Sequence, residues 1–72
     1  MATSNGALAA QCRTLADTHP TGSLDRRAAA CAGVALGSTS SLTAARRALD
    51  EHLGEDPDFL AACHRVLDEV AN

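Results

Sequence analysis

Apolar side chains recur every three or four residues in four blocks of the chain, and turn residues separate the blocks. This spacing places the apolar positions on one side of an α-helix and predicts amphipathic helices at about 5–17, 24–36, 42–53 and 57–70. The expected core positions are Leu8, Cys12, Leu15, Leu24, Ala28, Cys31, Ala35, Leu42, Ala45, Leu49, Leu53, Phe59, Cys63, Val66 and Val70. Helices this short are marginal alone. We therefore predict an all-α fold, a compact bundle of four short helices that forms a single small domain over residues 1–72.

Residues that cap helices mark the expected starts. Ser4 or Asn5 precedes the first helix and Ser23 precedes the second, where a side-chain oxygen can accept from the unpaired backbone amides of the first turn. Asp56 and Pro57 form an N-cap and first-position pair for the fourth helix. The serine-rich run at 38–41 is a loop that leads into the third helix.

Proline and glycine mark the expected ends. Pro20 disfavours the helical conformation of the residue before it, and Gly22 gives the backbone more conformational freedom. We therefore expect the first helix to stop before them. We expect Gly37 to leave the second helix in the left-handed conformation and Gly54 to end the third.

The apolar residues of this chain are mostly small. Nine leucines, three valines and Phe59 supply the large side chains, whereas sixteen residues are alanine. A chain of 72 residues buries only about 60% of its unfolded surface, so its stability margin is thin. Association with another protein, or with a second copy as a homodimer, would bury more.

Missing residue types exclude several functions. The chain has no lysine for a Schiff base or a phosphate-binding loop, and one aromatic residue cannot provide stacking platforms for single-stranded nucleic acid. The first residues have neither a basic lead nor an apolar run, and no stretch approaches membrane-span length. We expect a cytoplasmic protein with no membrane contact, no cofactor and reduced cysteines, since three thiols cannot all pair within one chain.

Charge is distributed unevenly along the chain. Residues 1–49 hold five arginines and two acids, whereas residues 50–72 hold seven acids and one arginine. Five of the acids lie in the segment 50–58, whose spacing does not match a calcium-binding loop and which we interpret as a solvated acidic patch. Such a dipolar molecule is suited to electrostatic steering toward a charged partner.

Two chemical alternatives remain open at this level. Cys12, Cys31 and Cys63 lie on different helices and could together bind a soft metal ion, although no two ligands share local chelate spacing. Packing of the thiols as small apolar groups explains the same positions. Arg46 and Arg47 could contact DNA if the second and third helices formed a helix-turn-helix, but the connection is long and the net charge of −3 is unfavourable.

The leading hypothesis is a small helical domain for protein–protein interaction, an adaptor, regulatory or docking module without catalytic activity. Neither an oxyanion loop nor an oriented cysteine–histidine pair is evident, so we predict no catalytic residues. The partner would be another protein or a second copy of this chain. We expect the contact positions to be Val34, Leu36, Leu60 and Leu67, because they widen or leave the central stripes of their helices.

Overall fold

A computed structural model describes residues 4–71 and confirms the all-α bundle. The helices are α1 (Asn5–Asp17), α2 (Leu24–Gly37), α3 (Leu42–Leu53) and α4 (Pro57–Ala71). Helices α2 and α4 each pack against the other three, and the contacts of α2 are the more extensive. The predicted domain spans residues 1–72, of which 1–3 and 72 lie outside the described residues.

Side-chain oxygens cap the starts of all four helices. The hydroxyls of Ser4, Ser23 and Ser41 each accept a hydrogen bond from the backbone amide three residues later, at 3.0–3.2 Å. The carboxylate of Asp56 accepts in the same way from the Phe59 amide at 3.2 Å. Each cap satisfies one of the amides that the first turn leaves unpaired, which fixes the helix starts from local sequence.

The exit from α2 differs from the left-handed glycine predicted at Gly37. Gly37 is part of the helix, and among residues 4–71 only Gly22 has a positive φ, at +85°. Ser38 and Thr39 satisfy carbonyls of the last turn of α2 through both their backbone amides and their hydroxyls. Ser38 Oγ donates to the Val34 carbonyl at 2.9 Å, and Thr39 Oγ1 donates to the Ala35 carbonyl at 2.7 Å. With these partners, α2 ends without a glycine in the left-handed conformation.

The core is built largely from small side chains. Half of the buried apolar residues are alanine: Ala9, Ala16, Ala28, Ala29, Ala32, Ala35, Ala45 and Ala62. The largest fully buried side chains are those of Leu36, Leu67, Cys12 and Cys63. Small residues allow the helix axes to approach closely, so the few large side chains supply a major share of the transfer energy.

Helices α1 and α2 approach closely at Gly33. A Cβ atom at this position would lie 3.3 Å from the Cβ of Cys12 and 3.6 Å from the Ala9 carbonyl oxygen. We expect Gly33→Leu to lower the free energy of unfolding by about 1–3 kcal/mol, because the added atoms overpack this crossing. Urea unfolding followed by circular dichroism measures the change.

Gly37→Leu is the matched control in the same helix. Nothing lies within 4 Å of the position that a Cβ would take there. We expect unchanged stability or a gain of up to about 1 kcal/mol from helix propensity. Equal losses from the two variants would show that the Gly33 crossing is not tight.

Candidate functional site

An apolar groove between α2 and α3 is the candidate functional site, here called the α2–α3 groove. Its volume is about 250 Å³, and it is lined by Cys31, Val34, Ala35, Ser38, Ala48, Leu49 and His52. Val34 at its edge is 72% exposed. The groove is smaller than the roughly 300–1,000 Å³ typical of small-molecule sites, so its size suits a few side chains of a partner.

Three other surface depressions within residues 4–71 are larger than the α2–α3 groove, and none of them is lined by an exposed large apolar side chain. One between α1 and α4 has a volume of about 430 Å³ and includes Gln11, Thr14 and Glu69 in its lining. In the described part of the chain, the exposed large apolar side chains are Leu24 and Val34. Val34 lines the α2–α3 groove, whereas neither side chain lines the other depressions described. This combination of an apolar depression with an exposed apolar side chain is what distinguishes the α2–α3 groove.

The predicted contact positions are distributed unequally between surface and core. Val34 is exposed and Leu60 is partly buried against the core. The expected exposure of Leu36 and Leu67 is wrong, since both side chains are 0% exposed. Helix α2 faces the core with Ala28, Ala29, Ala32, Gly33 and Leu36, and α4 buries a wider face than its central stripe. Leu36 and Leu67 are therefore structural residues.

The three cysteines differ in position and in burial. Cys12 is buried where α1 crosses α2 beside Gly33. Cys31 is partly buried in the lining of the α2–α3 groove, whereas Cys63 on α4 is fully buried. Among the described residues, no three Cys, His, Asp or Glu side chains form a group that could hold a metal ion. The structure thus does not unite the three thiols in the metal site considered from the sequence.

Burial changes the acidity of the two inner thiols. It raises the pKa of Cys12. The pKa of Cys63 is raised from 9.0 to about 12 by burial first, then by the charge of Cys31 and its hydrogen bond, and least by the charge of Asp56. Both thiols are consequently protonated at neutral pH and are poor nucleophiles.

We expect iodoacetamide to label the native protein selectively at Cys31. A raised pKa lowers the thiolate fraction about tenfold per unit, so Cys63 should react at least about a hundredfold more slowly at pH 8 in the native protein than in urea. Trypsin separates Cys12, Cys31 and Cys63 into the peptides 1–13, 28–46 and 48–65, so mass spectrometry gives each rate. In urea the three rates should converge; equal rates in the native state would contradict the burial described.

A polar cluster joins α3 to α4 at Arg46, Asp50, His64 and Asp68, and we call it the α3–α4 clasp. Arg46 donates to His64 Nδ1 at 3.0 Å and also pairs with Asp68. His64 Nε2 bonds to Asp50 at 2.8 Å. Because arginine can only donate, Nδ1 is the acceptor and the ring proton lies on Nε2. Sequence reasoning missed this cluster, although two i,i+4 pairs, Arg46 with Asp50 and His64 with Asp68, were the available signal.

The contacts of Arg46 in the α3–α4 clasp disfavour the DNA-binding alternative. The guanidinium of Arg46 is engaged by a carboxylate and an imidazole of the same chain. Arg26 pairs with Asp17 at 3.6 Å, and Arg27 lies over the Phe59 ring at 5.2 Å. Arg47 is exposed. Binding to DNA depends on arginines neutralising phosphates, so these internal contacts disfavour the use of Arg46 and Arg47 as a pair.

The chain matches no protein-family model, no curated protein and no solved structure. Within residues 4–71, no helix has both the length and the apolar character needed to span a membrane.

Proposed function

We propose that this chain is a small helical docking domain whose α2–α3 groove binds an amphipathic helix of a partner protein. The observation that carries the proposal is Val34, which stands 72% exposed at the edge of an apolar groove. Exposing such a side chain to water costs transfer energy that a partner would recover. Binding the apolar face of a helix in a groove is a common mode of recognition.

The charges beside the groove suggest the chemistry of the partner helix. His52 lines the groove and belongs to the segment 50–58, in which Asp50, Glu51, Glu55, Asp56 and Asp58 are all exposed. A partner helix with basic residues beside its apolar face would complement these acids. Complementary charges of this kind accelerate association and lose their effect as salt screens them.

The proposal includes no catalytic activity and no cofactor. It also keeps the cytoplasmic location expected from three thiols, all of which are free in the structure. A homodimer, in which arginines of a second copy would meet the acidic segment, is the competing occupant of the groove. Light scattering over a range of concentrations separates a monomer from a dimer.

Photo-crosslinking tests the groove and captures the partner in the same experiment. A benzoylphenylalanine at position 34 should form an adduct in the source cell, and the adduct should map to an amphipathic helix flanked by basic residues. The matched control carries the same group at position 30, because Ala30 is exposed on α2 but does not line the groove. Absence of an adduct, or equal adducts from both positions, would overturn the proposal; adducts only between two copies would identify the dimer instead.

Substitution then measures the contribution of Val34 to binding. With the captured helix, Val34→Asp should raise the Kd at least about tenfold, equivalent to about 1.4 kcal/mol, because it places a charge against apolar lining. Ala30→Asp introduces the same charge outside the groove and should leave the Kd nearly unchanged. Titration calorimetry at two salt concentrations gives both values and tests the proposed charge complementarity.

A further inference from the structure

Helix α3 is held on α4 by the polar contacts of the α3–α4 clasp. Arg46 donates to His64 Nδ1 at 3.0 Å and pairs with Asp68, and His64 Nε2 donates to Asp50 at 2.8 Å. Helix α3 contributes two residues to the buried core, whereas each other helix contributes at least four. With so little apolar burial, α3 depends on the clasp for its position more than the other helices depend on polar contacts.

We propose that His64 is a proton-controlled switch that changes the hydrogen-bond partners within the α3–α4 clasp. In the neutral state, which the structure shows, the ring accepts from Arg46 and donates to Asp50. In the protonated state both ring nitrogens donate, the ring binds Asp50 and Asp68, and Arg46 is displaced from the ring.

The bond between Arg46 and His64 requires a neutral ring. Arginine can only donate, so the bond depends on the free electron pair of Nδ1. A proton on Nδ1 would place two donors, both on positively charged groups, at the 3.0 Å separation of the present bond. The bond to Asp50 persists, because Nε2 carries a proton in both states, and it becomes charge-assisted when the ring is protonated.

Asp68 is the acceptor that the protonated ring can reach. Two nitrogens of one guanidinium contact Nδ1 and the Asp68 carboxylate in the neutral state, so the ring and this carboxylate lie beside each other. His64 and Asp68 are also four residues apart on α4, a spacing at which helical side chains meet. The exchange of partners therefore requires rotation of side chains and no unfolding.

The charged groups that face the ring are Arg46 and Asp50 from α3 and Asp68 from α4 itself. Within residues 4–71, no charged group of α1 or α2 is hydrogen bonded to the ring or paired with it. The His64 side chain is 26% exposed, so protons reach it from solvent. Histidine is the side chain that ordinarily changes charge between about pH 5 and 8, which sets the range for the test.

The switch acts on the helix that forms one wall of the α2–α3 groove, through Ala48, Leu49 and His52. A change in the way α3 is held on α4 would therefore act on the docking site. This consequence rests on the proposed function. The exchange of partners does not, because it is measured on the isolated chain, so failure of docking and failure of the switch are distinguishable.

Nitrogen-15 NMR of the full wild-type chain tests the exchange directly. At the upper end of the range, about pH 8, the ring shifts of His64 should identify Nδ1 as the nitrogen without a proton. As the pH falls to about 5, the guanidinium signals of Arg46 should shift with the same midpoint as the His64 ring, whereas those of the exposed Arg47 should stay constant. A neutral ring with its proton on Nδ1, or Arg46 signals that do not move with the ring, would overturn the proposal.

Two glutamine variants assign the effect to His64. His64→Gln keeps one donor and one acceptor but has no titratable proton, so the Arg46 signals should be independent of pH. His52→Gln is the matched control, because His52 lies on the same helix as Arg46 but outside the clasp; it should retain the full shift of Arg46. An Arg46 shift in His64→Gln as large as in the wild type would refute the switch, and if this variant fails to fold the wild-type spectra still decide the question.

Discussion

Replacing Leu36 by alanine is expected to lower the free energy of unfolding by about 2–5 kcal/mol. The side chain is 0% exposed and lies on α2, which packs against all three other helices. Much of the surrounding core is alanine, and these short side chains have little freedom to move into the cavity. Because small domains are only marginally stable, we expect a substantial unfolded population at 25 °C, measurable by urea unfolding with circular dichroism.

Two variants separate this cavity from general effects of substitution. Leu24→Ala removes the same atoms from the same helix, but Leu24 is 44% exposed, so the loss should be about 1 kcal/mol or less. Leu36→Met conserves most of the volume and should cost less than about 1.5 kcal/mol. If Leu24→Ala and Leu36→Ala were equally destabilising, the assignment of Leu36 to the core would be wrong.

Raising the pH from 9 toward 12 is expected to unfold the protein through its buried thiols. The chain contains neither lysine nor tyrosine, so the cysteines are the side chains that titrate in this range. Burial, helped by the Cys31 sulfur and Asp56, raises the pKa of Cys63 from 9.0 to about 12, and burial raises that of Cys12. The folded state consequently retains protons that the unfolded state releases.

The direction of the effect follows from this difference in proton binding. Below pH 9 both states hold the thiol protons and stability does not depend on these groups. Between 9 and about 12 the unfolded state binds fewer protons, so the free energy of unfolding falls as pH rises. Cys63 alone should contribute a slope of about 1.4 kcal/mol per pH unit. Urea midpoints at pH 7, 9, 10 and 11 provide the measurement.

A cysteine variant tests the origin of this slope. Cys63→Ala should remove the contribution of Cys63 and leave a smaller slope from Cys12. Working under argon with a reductant prevents oxidation of the thiols from contributing. A wild-type stability that stayed level up to pH 11 would show that the thiols become accessible to solvent without unfolding.

The helix boundaries were predictable because they depend on residues close together in the chain. Ser23 and Asp56 cap helices wherever those helices then pack, and Pro57 fits a first helical turn in any bundle. The left-handed exit predicted at Gly37 was wrong, since the amides and hydroxyls of Ser38 and Thr39 satisfy carbonyls of the last turn of α2.

The buried face of α2 was less predictable. Alanine occurs on several sides of this helix, so hydrophobicity alone does not distinguish Leu24 and Cys31 from Ala29 and Leu36. The close approach of α1 at Gly33 turns Leu36 inward and leaves Leu24 and Val34 exposed. The candidate site therefore depends on packing, and Val34 was the one expected contact position that lies exposed at the α2–α3 groove.

The amino-acid sequence by itself determined four helices and their caps, because a helix requires only local periodicity and hydrogen-bond partners within a few residues. The tertiary structure alone decided that Leu36 is core, that Cys12 packs beside Gly33, and that Arg46 is held by the α3–α4 clasp. Each of these features joins residues on different helices or depends on the rotation of a helix about its axis. In a chain rich in alanine, the rotation of each helix depends on which helices can approach it closely. That depends on the packing of the whole bundle and not on the local sequence.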